Sequence, residues 1–148
     1  MIVSLHVATG AAAGSLAGSP LRALVLGPAL HLASDRIPHQ DIASRRFEIG
    51  SGVAAITLLA ARCGPFDPVT LGAIGASAPD LEHVIPALRP HGRKLFHGSR
   101  GWHRSGAFPV TLQLLLAGAI LGFLVAGRRP ATAGAAARSV GANRVEVP

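Results

Sequence analysis

The sequence predicts an all-α protein, a polytopic membrane bundle of about five short helices followed by a disordered basic tail. Three observations predict it. Of 148 residues, 49% are hydrophobic and only 14% are charged, whereas a soluble domain carries roughly 25% charged residues. The apolar residues are mainly Ala, Leu, Val and Ile, and 18 Gly accompany a single Trp and no Tyr, which suits close helix packing in lipid better than a β-sandwich. Five apolar runs are separated by Pro, Gly and charged residues.

The first run covers residues 2–18 and stops at Ser19-Pro20. Gly10, Gly14 and Gly18 recur every fourth residue within it, a small-residue stripe that admits the backbone of another helix. The second run, 21–33, ends at Ser34-Asp35, with Pro38 just beyond. The third, 49–61, is closed by Arg62-Cys63-Gly64-Pro65. The fourth, 68–85, opens after Asp67, an N-cap residue followed by Pro at the first helical position. The fifth, 107–126, holds no charge over 20 residues, about 30 Å at 1.5 Å per residue and enough to cross a bilayer. Runs two and three are short for spanning, because 10–14 apolar residues also make core or re-entrant helices. These runs define a transmembrane domain over residues 1–127. Beyond Arg128-Arg129-Pro130 the chain loses apolar periodicity, so 128–148 reads as a disordered basic tail.

Charge and cysteine content narrow the function classes. The formal net charge is +7, yet the basic residues sit between apolar runs, where topology signals belong. No aromatic interleaving or recognition motif accompanies them, so nucleic acid is not expected as a partner. The lipid bilayer is. The first basic residue is Arg22, so the N-terminus does not read as a cleaved signal peptide, which carries its basic residues ahead of the apolar stretch. Cys63 is the single cysteine, which leaves no intramolecular disulfide and no cysteine-based zinc site.

Threading five spans alternately through a membrane puts the N-terminus, the loop 34–48 and the loop 86–106 on one side. All seven histidines then share that side. His6 lies near the start of run one; His31, Asp35, His39 and Asp41 lie at and beyond the end of run two; Asp80, Glu82 and His83 lie near the end of run four; His97 and His103 precede run five. His31 and Asp35 stand at i, i+4, and Asp80 and His83 at i, i+3. Ionisable groups in apolar helices are costly and usually pair, face a protein interior or mark a functional path. Imidazole and carboxylate together are the common ligand set for zinc and comparable divalent metals. The expected metal ligands are His6, His31, Asp35, Asp80, His83 and His103, with Glu82, Asp41 and His39 as candidate base or supporting groups. Each piece also has a plainer reading: His6 as a hydrogen-bonded packing residue, His31 with Asp35 as a structural ion pair, His91 as a solvated loop residue and Trp102 as an interfacial anchor.

The segment Pro79-Asp80-Leu81-Glu82-His83 resembles the Pro-Asp-x-Asp-His signature of membrane-bound metal-dependent hydrolases, also described as LexA-binding, inner-membrane-associated hydrolases. His6-x-x-x-Gly10 is similar to that family's early His-x-x-x-Gly, and Arg100-Gly101-Trp102-His103 with Ser105 is similar to its His-Arg-Gly-x-x-His-Ser element. The sequence departs from the pattern where Glu82 replaces Asp, where Ser99 precedes Arg100 and where the spacing to His103 is shorter. The run from His31 through Asp35 and His39 to Asp41 lies outside the signature. The resemblance implies a multi-span helical hydrolase that uses a divalent metal.

The two loops on the histidine side carry Arg36, Arg45, Arg46, Arg89, Arg93, Lys94, Arg100 and Arg104, eight basic residues, against Arg22, Arg62 and the four arginines of the tail. The positive-inside rule therefore puts the histidine face in the cytoplasm of an inner membrane. Two functions follow as expectations. One is a metal-dependent hydrolase acting on lipid-like or phosphoester substrates at the membrane face, where Arg93, Lys94, Arg100 and Arg104 either hold anionic headgroups or serve as topology signals. The other is a non-catalytic membrane protein in which the same groups form a structural or metal-handling site.

Overall fold

The computed structural model describes residues 1–97 and 104–128. Among them every regular element is helical: α1 (Val3–Leu16), α2 (Pro20–Ser34), α3 (Arg45–Cys63), α4 (Pro68–Ser77), α5 (Leu81–Val84) and α6 (Val110–Ala126), with short 3₁₀ turns at Ala78–Asp80, Pro86–Leu88 and Pro90–Gly92. The all-α expectation is met. The boundaries follow local chemistry. Ser19, Ser44 and Asp67 cap α2, α3 and α4 by accepting from the backbone N–H groups of Arg22, Phe47 and Val69, and Pro20 and Pro68 occupy first-turn positions where a missing N–H costs nothing.

Three expectations shift. The fourth apolar run is not one helix, because α4 ends at Ser77 and the Ala78-Pro79-Asp80 turn separates it from α5; Pro79 cannot donate to the α ladder. The fifth run begins as helix only after Pro109, so α6 has 17 residues and extends about 25 Å at 1.5 Å per residue. The third run starts a turn earlier than the apolar pattern suggests, taking Arg45, Arg46 and Glu48 into α3. Among the described residues no helix is long and apolar enough to cross a membrane. The predicted tail lies outside the described residues apart from Arg128.

Helix α4 packs against both α1 and α2, and α1 also meets α3 and α6. Side chains are nearly absent at these crossings. A Cβ on Gly10 would strike the Gly72 carbonyl and Ala76, one on Gly72 would strike the Gly10 carbonyl, and one on Gly14 would strike the Pro68 carbonyl. Backbone-on-backbone packing is what the small-residue stripe provides. Gly18 departs from that stripe: nothing stands within 4 Å of its Cβ position, and its φ of +70° places it in the left-handed region just beyond the end of α1. On the α2 side, a Cβ at Gly75 would strike the Leu24 carbonyl, the group that Pro28, four residues on, cannot hydrogen-bond. Val7, Ala11, Leu59, Val69 and Ala73 fill the core between these helices.

A second set of bonds fixes the ends of the helices that carry the histidines. His39 N donates to the Arg104 carbonyl at 3.0 Å, Gly106 N donates to the His39 carbonyl at 2.9 Å, and Gln40 N donates to the Phe108 carbonyl at 3.0 Å. The loop after α2 is thereby stitched to the segment leading into α6. Gln113, fully buried on α6, closes the join: its amide donates to the carbonyls of Gln40 at 2.8 Å and Phe108 at 3.0 Å, and its oxygen accepts from Ile2 N at 3.1 Å.

Candidate metal centre

Four chain segments deliver ionisable side chains to one end of the bundle. Helix α1 contributes His6, the last turn and C-cap of α2 contribute His31 and Asp35, the turn after α4 contributes Asp80, and the loop before the undescribed segment contributes His97. The centre is buried: His6, His31 and Asp35 are each at most 2% exposed. His6 Nε2 lies 3.0 Å from Asp35 Oδ1, while His31 Nε2 and His97 Nε2 each lie 3.3 Å from Asp35 Oδ2 and 3.7 Å from Asp80 Oδ1. The two Nε2 atoms of His31 and His97 are 3.1 Å apart, and the rings of His6 and His31 stack at 3.7 Å between centroids.

The other ring nitrogens assign the tautomers. His31 Nδ1 donates to the Ala76 carbonyl at 2.7 Å, and His97 Nδ1 donates to Glu82 Oε1 at 2.7 Å. Ser34 Oγ donates to the His31 carbonyl at 2.8 Å and so accepts from His6 Nδ1 at 3.2 Å. If the three rings are neutral and carry their proton on Nδ1, three Nε2 lone pairs point at two carboxylates and at one another. Acceptors facing acceptors in a buried site repel unless a cation lies between them. A proton relieves one such pair, whereas a metal ion relieves all of them. Metal–nitrogen bonds of about 2.0–2.1 Å in tetrahedral array require ligand atoms roughly 3.3 Å apart, close to the separations found here. Three overlapping sets bring one ligand atom from each residue within 4.8 Å of the others: His6, His31 and Asp80; His31, Asp35 and His97; and Asp80, His83 and His97.

For the groups in the caps, turns and loop outside the long helices, electrostatics describes the case in which protons rather than a metal bridge these atoms, each ring donating from Nε2 to Asp35. Burial pushes the Asp35 carboxyl up, but hydrogen bonds from His31, His6 and His97 outweigh it and hold the carboxyl well below the usual carboxylate range. Burial drives the Asp80 carboxyl up, only partly offset by His31 and His97, and its Oδ2 is buried with no hydrogen-bond partner. A bound cation would supply the missing counter-charge and partner for that oxygen. His97 is pulled down by burial and raised more strongly by Asp35 and Glu82.

Glu82 is 2% exposed, and its oxygens are filled. Oε2 accepts from Leu95 N at 2.7 Å and Phe96 N at 3.1 Å, and Oε1 accepts from His97 N at 2.8 Å as well as from the ring. Burial raises the carboxyl, but these backbone bonds bring it down to about 2. The carboxylate expected as a candidate base instead anchors the loop and orients His97, the carboxylate–histidine arrangement that fixes metal ligands.

The remaining expected residues divide. His6, His31, Asp35 and Asp80 are brought together, and His83 joins at the edge, its ring centroid 4.4 Å from that of His97. His39 Nε2 lies 3.1 Å from Asp41 Oδ1 and also meets the Met1 amine, which donates to Asp35 Oδ1 at 2.6 Å. This pair therefore adjoins the cluster without entering it. His103 lies outside the described residues. His91 is exposed, in a loop with φ of +53°. His97, which the sequence-based ligand set did not include, stands at the centre. Its signal was the displaced family element, in which Ser99 stands where a histidine is expected and the nearest upstream histidine is His97.

No family model matches the sequence, and no curated protein or solved structure matches it.

Proposed function

We propose that this protein is a membrane-embedded, metal-dependent hydrolase whose His/Asp centre lies at the cytoplasmic membrane face. The observation that carries the metal reading is the convergence of three Nε2 lone pairs on Asp35 and Asp80, a donor set that fits a divalent ion, zinc foremost. Membrane embedding is supported by the large apolar side chains left on the outside, among them Leu16, Leu21, Val25, Leu115 and Phe123, each more than 60% exposed. A water-soluble surface rarely carries so much apolar area without a partner.

His31, His97 and Asp35 would hold the ion, with Asp80 beside them, while His6 and His83 each group with Asp80 on either side. A divalent ion there supplies Lewis acidity toward an ester or phosphoester oxygen and a water acidified to a pKa of about 7. The protein's own groups do the rest. Glu82 keeps His97 in the ligating tautomer, the Ala76 carbonyl does so for His31, and Ser34 does so for His6. Asp41, half-exposed on the cavity lining and paired with His39, would be the candidate to take up a proton released at the centre.

Turnover separates this reading from a structural or metal-handling site. Purified protein loaded with zinc or manganese should hydrolyse a member of an ester and phosphoester panel, chelator should abolish the rate, and Asp35→Asn should lower it at least 100-fold. Stoichiometric metal with no turnover above the Asp35→Asn background would leave the non-catalytic reading in its place.

A further inference from the structure

The cluster opens into one large cavity of about 690 Å³, and its walls are of two kinds. At one end stand Asp35, Asp80, His83 and His97, flanked by Arg45 and Lys94. Both cations gather at His83: the Arg45 guanidinium donates to the His83 carbonyl, and Lys94 Nζ lies 3.3 Å from its Nδ1. Much of the rest of the lining is hydrocarbon. Ile49, Val53 and Ile56 recur at i, i+4 and i+7 along one face of α3, and Leu81 and Val84 stand at i, i+3 on α5. Four of these five are 40% exposed or more, so the hydrocarbon wall is accessible. Asp41 and Glu48 also reach the lining; Asp41 is occupied with His39, and Glu48 Oε2 accepts from Val3 N at 2.7 Å.

A cavity of this size falls within the range of small-molecule sites, and its division selects an amphiphile. We propose that it seats a phosphoester bearing a single long hydrocarbon chain, with the phosphate against the metal centre, Arg45 and Lys94, and the chain along the Ile49–Val53–Ile56 face. The proposal rests on the hydrolase reading above for the identity of the polar end. The apolar face of α3 places a chain whose scissile bond lies at the cluster, so it selects substrates by length. Arg45, in the first turn of α3, couples the two ends: the helix that supplies the hydrocarbon wall also supplies the cation.

The test uses the zinc-loaded chain in phosphatidylcholine nanodiscs, titrated with alkyl phosphates from butyl to dodecyl and with the matching alkanols. Wild type should tighten with each added methylene, by up to about fourfold per methylene, and should prefer dodecyl phosphate over dodecanol by at least tenfold. Val53→Trp, at a largely exposed position, should weaken dodecyl phosphate at least tenfold relative to wild type in the same discs while leaving butyl phosphate and bound zinc unchanged. Val84→Trp, on the α5 part of the lining, should repeat the effect, and Arg45→Gln should erase the preference for phosphate over alcohol. Chain-length dependence identical in wild type and both Trp variants would overturn the proposal, as would equal binding of dodecanol. A wild-type chain that retains no zinc would instead overturn the hydrolase reading, and the metal measurement distinguishes the two failures.

Discussion

Replacing Glu82 by Gln is the most informative single perturbation of the centre, because its consequence can be worked from four hydrogen bonds. The carboxylate accepts from Leu95 N and Phe96 N on Oε2, and from His97 N and Nδ1 on Oε1. Glutamine keeps the shape but offers one acceptor oxygen, and its amide N–H groups face whichever pair of donors it abandons. Two buried donors then lack a partner, at about 1–3 kcal/mol each, so the loop that carries His97 loses roughly 2–6 kcal/mol of local anchoring. Removing a carboxylate behind a ligating histidine typically costs 10- to 100-fold in metal affinity, about 1.4–2.7 kcal/mol. Competition with a chromophoric chelator measures that affinity, and far-ultraviolet circular dichroism checks that the helices persist. Glu82→Gln should weaken zinc binding by 10- to 100-fold with unchanged helicity. An affinity within twofold of wild type would refute the assignment of Glu82 as the group that positions His97.

Three further outcomes follow from the same structure. Gly10→Val drives a branched side chain into the Gly72 carbonyl and Ala76, and a thermal melt should show a loss of at least 2–3 kcal/mol from overpacking with backbone displacement; an unchanged midpoint would mean that α1 and α4 are not in backbone contact. Gln113→Leu strips a partner from Ile2 N and from the carbonyls of Gln40 and Phe108 and should cost about 1–3 kcal/mol for each group left unpaired, with faster amide exchange at Ile2. Metal affinity should fall with acid, because ligating imidazoles must be neutral: protons compete as pH drops through the histidine range near 6.5, and His97, whose pKa is raised by Asp35 and Glu82, is the ligand lost first from above. Chelator titrations between pH 8 and 5 should show that loss, and pH-independent affinity would exclude histidine ligation.

The helices were legible because their signals are local. Ser19, Ser44 and Asp67 announce helix starts, and Pro20 and Pro68 mark first turns. Convergence of His6, His31, Asp35 and Asp80 was legible from topology alone, since alternate threading of apolar runs brings their ends together. Details that depend on tertiary partners were not. Hydropathy could not show that Ala78–Asp80 breaks the fourth run, which happens at Pro79 and aims Asp80 at the histidines. Glu82 read as a free carboxylate in a motif because its acceptors are filled by backbone thirteen to fifteen residues away. His97 stayed outside the ligand set because the altered spacing ahead of the last run does not decide whether it or His103 ligates; the Glu82 contact and the shared Asp35 carboxylate mark it in the structure. Gly18 fits the small-residue spacing and yet serves a chain reversal, since spacing alone cannot tell a contact from a cap.

The central claim is that His31, His97 and Asp35 hold a divalent ion. X-ray absorption at the zinc edge of the purified, zinc-loaded chain tests it most directly. The account predicts a retained ion with nitrogen and oxygen neighbours at about 2.0–2.1 Å and the outer-shell scattering of at least two imidazoles, reduced by His31→Ala. A spectrum without imidazole scattering, or one unchanged by His31→Ala and Asp35→Asn together, would contradict it.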